Sequence, residues 1–263
     1  MLDLLLLVLK NNKMNKKNSC FLSVIILFTL FSFSQKKGGE IIYKIESIKN
    51  IVNEKTISKS DIERKTALNF MNESLNLNVS KFSFRLKFNT TESTFKLIDV
   101  LESDSDFDKG YKMAKILSQA DNSYYTDKET NIRIISKNAY GKDVKIKSFL
   151  DSDKWILTNN TKKIGAYLCN EATTILEVQN NKGIFKKVIT AWYTLDIPYN
   201  FGPKGYGSLP GLILELSEGS FKYYVSKIKL NTLVKIEKPS EINLIKQEEL
   251  DSIGKERTKK RNN

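Results

Sequence analysis

The sequence predicts a mainly β protein of the α+β class, built as a single curved antiparallel sheet or half-barrel with a few flanking helices. Residues 82–88 alternate strictly between apolar and polar side chains, which is typical of a strand with one buried face. From Trp155 onward, strand-like segments follow one another through short turns without an intervening helix, and strands joined in this way pair antiparallel. The chain has 263 residues, 40% hydrophobic and 28% charged, which is enough to bury a core.

Each element is predicted from its local pattern. The alternation of residues 40–48 predicts the first strand, and Ser60 followed by Glu63 is typical of a capping box with Ser60 as the helix N-cap. The other expected elements are a hairpin of 82–88 with 94–101, a helix at 111–120, a hairpin of 123–125 with 131–136, strands at 154–158, 165–172, 174–179, 185–194, 211–217 and 222–230, a turn at 180–183, and a basic terminal helix at 248–260. No break in composition marks a linker, so residues 35–263 are expected to form one domain.

Residues 1–34 are predicted to be a secretory signal peptide whose true start is Met14. A basic segment follows Met14, residues 20–33 form an apolar run, and small residues precede a cut that leaves Gln35 first. The run is short for a membrane span. An uncleaved anchor is the alternative, because residues 1–13 add a second Leu-rich segment. The expected location is the periplasm or cell envelope, in preference to secretion into the medium.

The chain contains no histidine, which excludes Ser-His-Asp and Cys-His catalysis and His-ligated zinc. Its net charge is +13, and residues 1–34 carry four lysines and one acid, so the remainder keeps +10. The lysines are scattered and an exported chain is separated from the genome, so no nucleic-acid partner is expected. Membrane contact is limited to a peripheral one through the basic run 255–261. Cys169 is predicted to be a buried, unreactive thiol.

The acidic segment 102–108 spaces its carboxylates as the start of a calcium loop does. In an EF-hand loop that begins at Asp104, however, the required Gly and Glu positions hold Lys109 and Lys115. A solvated acidic loop is favoured, and a calcium contact of another type stays open. No nucleophile elbow or phosphate-binding loop is present, so no catalytic residue, metal ligand or cofactor is predicted.

The segment 198–211 holds three of the four prolines and four of the twelve glycines. Such a loop is rigid for its length, and its aromatic residues supply contact area. The candidate ligand- or partner-binding residues here and on neighbouring strands are Trp155, Trp192, Tyr193, Tyr199, Phe201, Tyr206, Leu209, Pro210, Gly211 and Leu212. Phe84, Phe88 and Phe95 are further candidates for lining a cavity, and ordinary core packing is the alternative for every one of these side chains.

Residues 209–213, preceded by Gly207 and Ser208, resemble the hallmark of the GLPGLI family of exported Bacteroidetes proteins, with Ser208 where the family has Gly. The resemblance extends to Trp155, to 165–172 around Cys169, to Phe88-Asn89, Glu92-Ser93, 191–194, Ile197-Pro198, Gly202-Pro203 and Glu248-Glu249-Leu250. It implies export and a shared fold but no reaction. The order of the strands also resembles, more weakly, half-barrel lipoprotein carriers, which hold an apolar ligand between a concave sheet and a helical lid.

Three functions follow as hypotheses. The first is non-catalytic binding of an apolar ligand, either a lipid, an acyl chain or a peptide, in or beside an aromatic-lined sheet at the cell envelope. The second is an accessory or structural role in which the 198–211 loop docks to an outer-membrane protein. The third is a hydrolase based on carboxylates. A deep apolar cavity favours the first, an exposed Tyr199, Phe201 and Tyr206 patch the second, and clustered buried acids the third.

Overall fold

The computed structural model describes residues 37–98, 109–150, 153–180, 183–242 and 244–262. The predicted signal peptide, the acidic segment 102–108 and the centre of the turn at 180–183 lie outside these ranges. Twelve strands are present: β1 Lys37–Ser47, β2 Ser83–Phe88, β3 Glu92–Leu97, β4 Ser123–Asp127, β5 Ile132–Ala139, β6 Lys142–Phe149, β7 Ile156–Ile164, β8 Tyr167–Asn180, β9 Gly183–Thr194, β10 Leu212–Glu218, β11 Phe221–Leu233 and β12 Leu244–Lys246. Within the same ranges, four α-helices accompany them: α1 Glu54–Ser58, α2 Ile62–Asn78, α3 Lys109–Ser118 and α4 Gln247–Asn262.

All twelve strands belong to one open sheet in the order β12-β6-β5-β4-β3-β2-β1-β11-β10-β9-β8-β7. Strands β2 to β6 form one antiparallel meander and β7 to β11 form another. The first strand, β1, joins them because it pairs antiparallel with β2 on one side and with β11 on the other. The predicted mainly β, antiparallel architecture is therefore confirmed, and only the short β12 pairs in parallel, with β6.

The sheet is strongly curved. Strands β5 and β9 are seven strand positions apart, which in a flat sheet corresponds to roughly 34 Å. Ile135 of β5 and Lys187 of β9 nevertheless line the same cavity. The sheet thus folds round on itself, and we call the β4–β6 side and the β7–β9 side its two arms. Its inner face carries the core, and its outer face is charged.

Alternation along β1 shows how the two faces are separated. Ile41, Tyr43 and Ile45 are fully buried on the inner face. Glu40 and Glu46 lie on the outer face, where they pair with Arg85 and Lys222 of the neighbouring strands. Aromatic rings fill the inner face of the central strands: Phe84 stacks on Phe95 at 5.2 Å, and Tyr223 packs against both.

Helices α2 and α3 pack against the same core, through Leu75 and Ala114. The N-cap of α2 is Asp61 and not Ser60, because the Asp61 carboxylate accepts the Arg64 amide at 2.8 Å. The hydroxyl of Ser60 instead donates to a carbonyl in the preceding helix. Within the described ranges, no helix has both the length and the apolar character needed to cross a membrane.

Three strand predictions need correction. Residues 165–172 and 174–179 form one continuous strand, β8, and Gly165 lies in the preceding turn with φ of 57°. The prediction missed β6, although Val144 and Ile146 alternate with polar residues directly after a turn at Gly141. It also missed β12, whose three residues are held by a parallel partner distant in sequence.

Candidate functional site

The Pro/Gly-rich segment folds inward. Residues 197–211, here called the plug loop, run from the end of β9 to the start of β10 across the inner face of the sheet. Ile197, Phe201 and Leu209 are buried in the core, and Phe201 lies 6.1 Å from the Phe88 ring. The loop therefore covers apolar strand surface that would otherwise face water.

Side chains from several elements satisfy carbonyl groups that the plug loop and the start of β10 bring into the interior. Tyr43 donates to the Ile213 carbonyl at 2.6 Å, and Arg133 Nε donates to the Gly205 carbonyl at 3.0 Å. Trp155 Nε1 donates to the Gly207 carbonyl at 2.8 Å, and the amide of Asn200 donates to the Leu209 carbonyl at 2.5 Å. Buried carbonyl groups without partners are costly, so these contacts fix the path of the loop.

Two glycines of the plug loop are required by close backbone approach. A Cβ atom at Gly211 would lie 1.9 Å from the Thr194 carbonyl oxygen, and one at Gly207 would lie 2.5 Å from that of Asn200. Two other positions hold side chains in the left-handed region, Lys204 with φ of 56° and Ser208 with φ of 65°. Ser208 occupies the position at which the GLPGLI resemblance has Gly. Because its φ is positive, glycine at this position would relieve backbone strain.

The structure places the predicted binding residues mainly in the core. Phe84, Phe88, Phe95, Tyr193, Phe201, Tyr206, Leu209, Gly211 and Leu212 are buried, Trp155, Trp192 and Tyr199 are half-buried, and Pro210 is exposed. Trp192 lies on the outer face beneath the Lys162 ammonium, 4.3 Å from the ring centroid. These positions favour ordinary core packing for most of the set.

Burial of its aromatic side chains also limits how the plug loop could dock to a partner protein. Phe201 is 2% and Tyr206 7% exposed, and Tyr199 is only half-exposed because its ring packs 4.6 Å from that of Phe88. The exposed aromatic patch that would favour an outer-membrane partner is not formed by these three residues.

The open space lies between the two arms of the sheet. Two adjoining cavities of about 350 and 620 Å³ occupy it, and we call them together the inter-arm cleft. Both are lined by Arg133, Ile135, Ile146, Leu176, Glu177, Tyr206 and Gln247. The middle of the cleft carries aliphatic side chains from both arms, Ile135 and Ile146 from one and Leu176 from the other, beside the polar groups of Arg133, Glu177 and Gln247. Tyr206 of the plug loop is the only predicted site residue that reaches it.

The two ends of the cleft are polar and differ in their side chains. The end that we call the lysine end is lined by Gln119, Asn122, Tyr124, Lys137, Val178, Lys187, Lys204, Glu218 and Asp251. The other, here the serine end, is lined by Ser148, Asp153, Lys154, Thr174, Ile175 and Lys186. The Ser148 hydroxyl is buried and has no hydrogen-bond partner in the described part of the chain, so it is available to a polar atom in the cleft.

Two buried ion pairs hold the plug loop against the walls of the cleft. The guanidinium of Arg133 pairs with Asp153, and both side chains are about nine-tenths buried. Lys204, at the tip of the loop, pairs with Glu218 of β10 in a comparably buried position. Arg133 also lies over the Tyr206 ring, with 5.4 Å between the guanidinium carbon and the ring centroid.

Burial shifts the pKa values of these groups. It raises the pKa of Asp153 above its ordinary value, and the charge of Arg133 opposes that shift. Burial disfavours the charged form of Lys204, but the Glu218 carboxylate and the nearby Tyr124, Tyr223 and Tyr206 together more than compensate, so the pKa of Lys204 lies well above its usual value. Each of the two buried carboxylates is therefore paired with its own cation.

Cys169 is buried, as predicted, and burial raises the pKa of its thiol to about 11. A thiol with such a pKa is protonated at neutral pH and reacts slowly. Within the described ranges, no group of three or more Cys, Asp and Glu side chains comes together to hold a metal ion.

One pattern in the sequence indicates a buried ion pair in the cleft. Arg133 stands between Ile132 and Ile134 in a strand, and a cation within an apolar run requires a buried partner. Its partner Asp153 follows after one further strand, and only the fold brings the two together. No comparable pattern predicts the pair of Lys204 and Glu218, because both residues lie in segments whose sequence is typical of exposed structure.

Comparisons with known proteins bear on the same segment. A family model described as a protein of unknown function (Porph_ging) matches residues 183–215, which comprise β9, the plug loop and the start of β10. This short match is consistent with a Bacteroidetes family and leaves the GLPGLI name unconfirmed. No curated protein matches the chain significantly.

Two solved structures of PNGF-II, in space groups C2 and P21, are similar to the chain. The sequence identity is 15% in both, with TM-scores of 0.46 and 0.43. Each comparison covers 82% of this chain and 32% or 33% of the PNGF-II chain. The protein therefore spans about a third of the length of those structures.

We expect the Ser208→Gly variant to be more stable than the wild type by about 0.5–1 kcal/mol. Relief of the left-handed backbone strain contributes about 1–2 kcal/mol, and the greater freedom of glycine in the unfolded chain offsets part of it. Urea unfolding measures the difference. Ser217→Gly, at the next-to-last residue of β10, is the control and should lower stability, and equal effects of the two substitutions would contradict the strain at Ser208.

The Arg133→Met variant is expected to lose about 3 kcal/mol of unfolding free energy near neutral pH, because Asp153 is left buried without its cation. Removal of that cation raises the pKa of Asp153 further. The penalty is present above that pKa and lost as the pH falls through it, so the deficit should shrink from about pH 7 to about pH 4.

The Arg133→Met/Asp153→Asn double variant tests the cause of that deficit. It should recover most of the lost stability, because no buried charge remains unpaired. Urea unfolding of the three proteins at two pH values measures both effects. A double variant no more stable than Arg133→Met would show that the pair does not determine stability.

Proposed function

We propose that the protein is an exported cell-envelope protein that binds an amphipathic ligand in the inter-arm cleft without transforming it. The apolar part of the ligand is a lipid or acyl chain or the apolar face of a peptide. The observation that carries this proposal is the composition of the cleft: aliphatic side chains from both arms in its middle, with charged and polar groups beside them and at either end. Small-molecule sites typically combine such walls with a few orienting polar groups.

The size and position of the cleft support this use. Cavities of about 350 and 620 Å³ fall in the range of sites that enclose small molecules. The concave interior between the central strands is filled with aromatic rings, so the ligand lies between the arms and not beneath a helical lid. The buried ion pairs of Arg133 and Lys204 hold the floor of the cleft in place before a ligand arrives.

The other hypotheses have weaker support. Docking of the plug loop to an outer-membrane protein would use aromatic side chains that are mostly buried. A carboxylate-based hydrolase would use Asp153 and Glu218, the two buried acids of the described cleft, but each is paired with a cation. Export itself is part of the proposal and rests on the sequence of residues 1–34.

The proposal is tested by native mass spectrometry of the protein purified from the envelope fraction of cells that express the full chain, followed by organic extraction. We expect a non-covalent adduct that organic solvent releases. In the Leu176→Trp variant, the larger side chain occupies the apolar middle of the cleft, and the adduct should fall by about tenfold or more, as loss of a well-filled apolar contact predicts.

Val188→Trp is the matched control, because Val188 is 61% exposed on β9 and lines neither cavity. This variant should keep the adduct. An adduct that both variants retain equally would place the ligand elsewhere. A wild-type protein with no adduct, and with no binding of added twelve-carbon amphipaths, would refute the proposed function.

A further inference from the structure

We propose that the ligand of the inter-arm cleft is an anionic amphipath, with an oxyanion head held between Lys137 and Lys187 and an apolar chain along Ile135, Ile146 and Leu176. This inference rests on the proposed function and names the chemistry of its ligand. The head is a carboxylate or a phosphate on an apolar chain, as in a free fatty acid or a lipid headgroup.

The charges that line the cleft are unequal in number. Six basic side chains face four acidic ones among the described lining residues. Arg133, Lys204 and Lys186 are already paired, with Asp153, Glu218 and Glu177. The remaining basic residues are Lys137, Lys154 and Lys187, and the remaining acid is Asp251, which accepts a hydrogen bond from Gln247 at 2.7 Å. The cleft therefore keeps a positive surplus that a ligand can neutralise.

Lys137 and Lys187 approach the lysine end from opposite arms. Lys137 lies on β5 two residues beyond Ile135, which places both side chains on the inner face. Lys187 lies on β9 opposite Leu176 of β8, and both of these residues line the cleft. Within the described ranges, neither lysine has a carboxylate within 4.0 Å of its ammonium. An oxyanion between them would contact both arms at once.

The surroundings of Lys137 indicate an incompletely compensated charge. The side chain is half-buried, and burial lowers its pKa, while the more distant Asp251 of α4 partly opposes that shift. The other polar groups of this end are the amides of Gln119 and Asn122, the hydroxyl of Tyr124 and the Lys204–Glu218 pair, whose charges cancel. An anionic head would stabilise the charged form of Lys137 and gain affinity in return.

The apolar middle explains why a simple inorganic anion would be an incomplete ligand. Ile135, Ile146 and Leu176 line both cavities directly beside the two lysines, so an oxyanion at the lysine end is continuous with an apolar path toward the serine end. Burial of a chain there removes apolar surface from water, so each methylene group adds to the affinity. The head would determine orientation, and the chain would supply most of the affinity.

The test uses isothermal titration calorimetry to compare three compounds that each carry a twelve-carbon chain: laurate, dodecyl phosphate and the neutral ester monolaurin. Each is kept below its critical micelle concentration. The full chain is expressed and purified after extraction of endogenous lipid. With the wild type, we expect the anionic compounds to bind about tenfold to a hundredfold more tightly than monolaurin, because hydrogen bonds to charged groups contribute about 1.5–3 kcal/mol.

The Lys137→Gln/Lys187→Gln variant keeps polar side chains with the same number of heavy atoms and removes their charge. It should lose that preference, with affinity for laurate and dodecyl phosphate reduced at least about tenfold and affinity for monolaurin unchanged. Unchanged monolaurin binding also shows that the variant folds. The control is Lys227→Gln/Lys229→Gln, which makes the same change in net charge at exposed positions of β11 and should behave like the wild type.

The outcomes separate the two proposals. If monolaurin binds the wild type as tightly as laurate does, the anionic head is refuted while the cleft remains a binding site. Failure of all three compounds to bind refutes this inference, and together with the absence of a co-purifying adduct it refutes the proposed function as well. If the Lys137/Lys187 variant and its control lose affinity for the anionic compounds equally, the loss is an effect of net charge, and the assigned position of the head is refuted. Preference for the phosphate assigns the head to a lipid phosphate, preference for laurate to a free fatty acid, and either result supports the inference.

Discussion

The architecture depends on burial of the plug loop, whose backbone must keep its hydrogen bonds while it crosses an apolar sheet. A loop in a core is unusual because each carbonyl that leaves water needs a donor. Tyr43, Arg133 and Trp155 supply donors from three separate strand regions. The prolines of the loop have no N–H group, which reduces the number of partners it requires. The same contacts hold the curved sheet around the loop.

The ion pairs at the edge of the plug separate a filled core from an open cleft. Arg133 with Asp153 and Lys204 with Glu218 lie where the loop meets the two arms, and both pairs are largely removed from solvent. Buried pairs contribute little net stability but penalise any arrangement that leaves one partner alone. They therefore favour one position of the loop, and this position leaves the apolar middle of the cleft uncovered. The binding function proposed for the cleft depends on that arrangement.

Local patterns predicted most strands and hairpins correctly. Strict alternation identified β2, and the hairpins β2–β3 and β4–β5 form as expected because neighbouring strands with short turns pair with each other. The N-cap of α2 was displaced by one residue, since Ser60 and Asp61 are both good caps and only the backbone geometry selects between them. Strand β12 could not be predicted locally, because its only ladder is with β6, almost a hundred residues earlier.

The sequence by itself determined the β class of the protein, its antiparallel connectivity and the importance of the 198–211 segment, because alternation, turn residues and proline content act over short distances. Only the tertiary structure decided which way that segment faces. Its aromatic residues were suited equally to a surface or a core, and the curvature of the sheet placed them inside. The cleft was decided at the same level, since Lys137 and Lys187 are fifty residues apart and line one cavity only when the two arms curve toward each other.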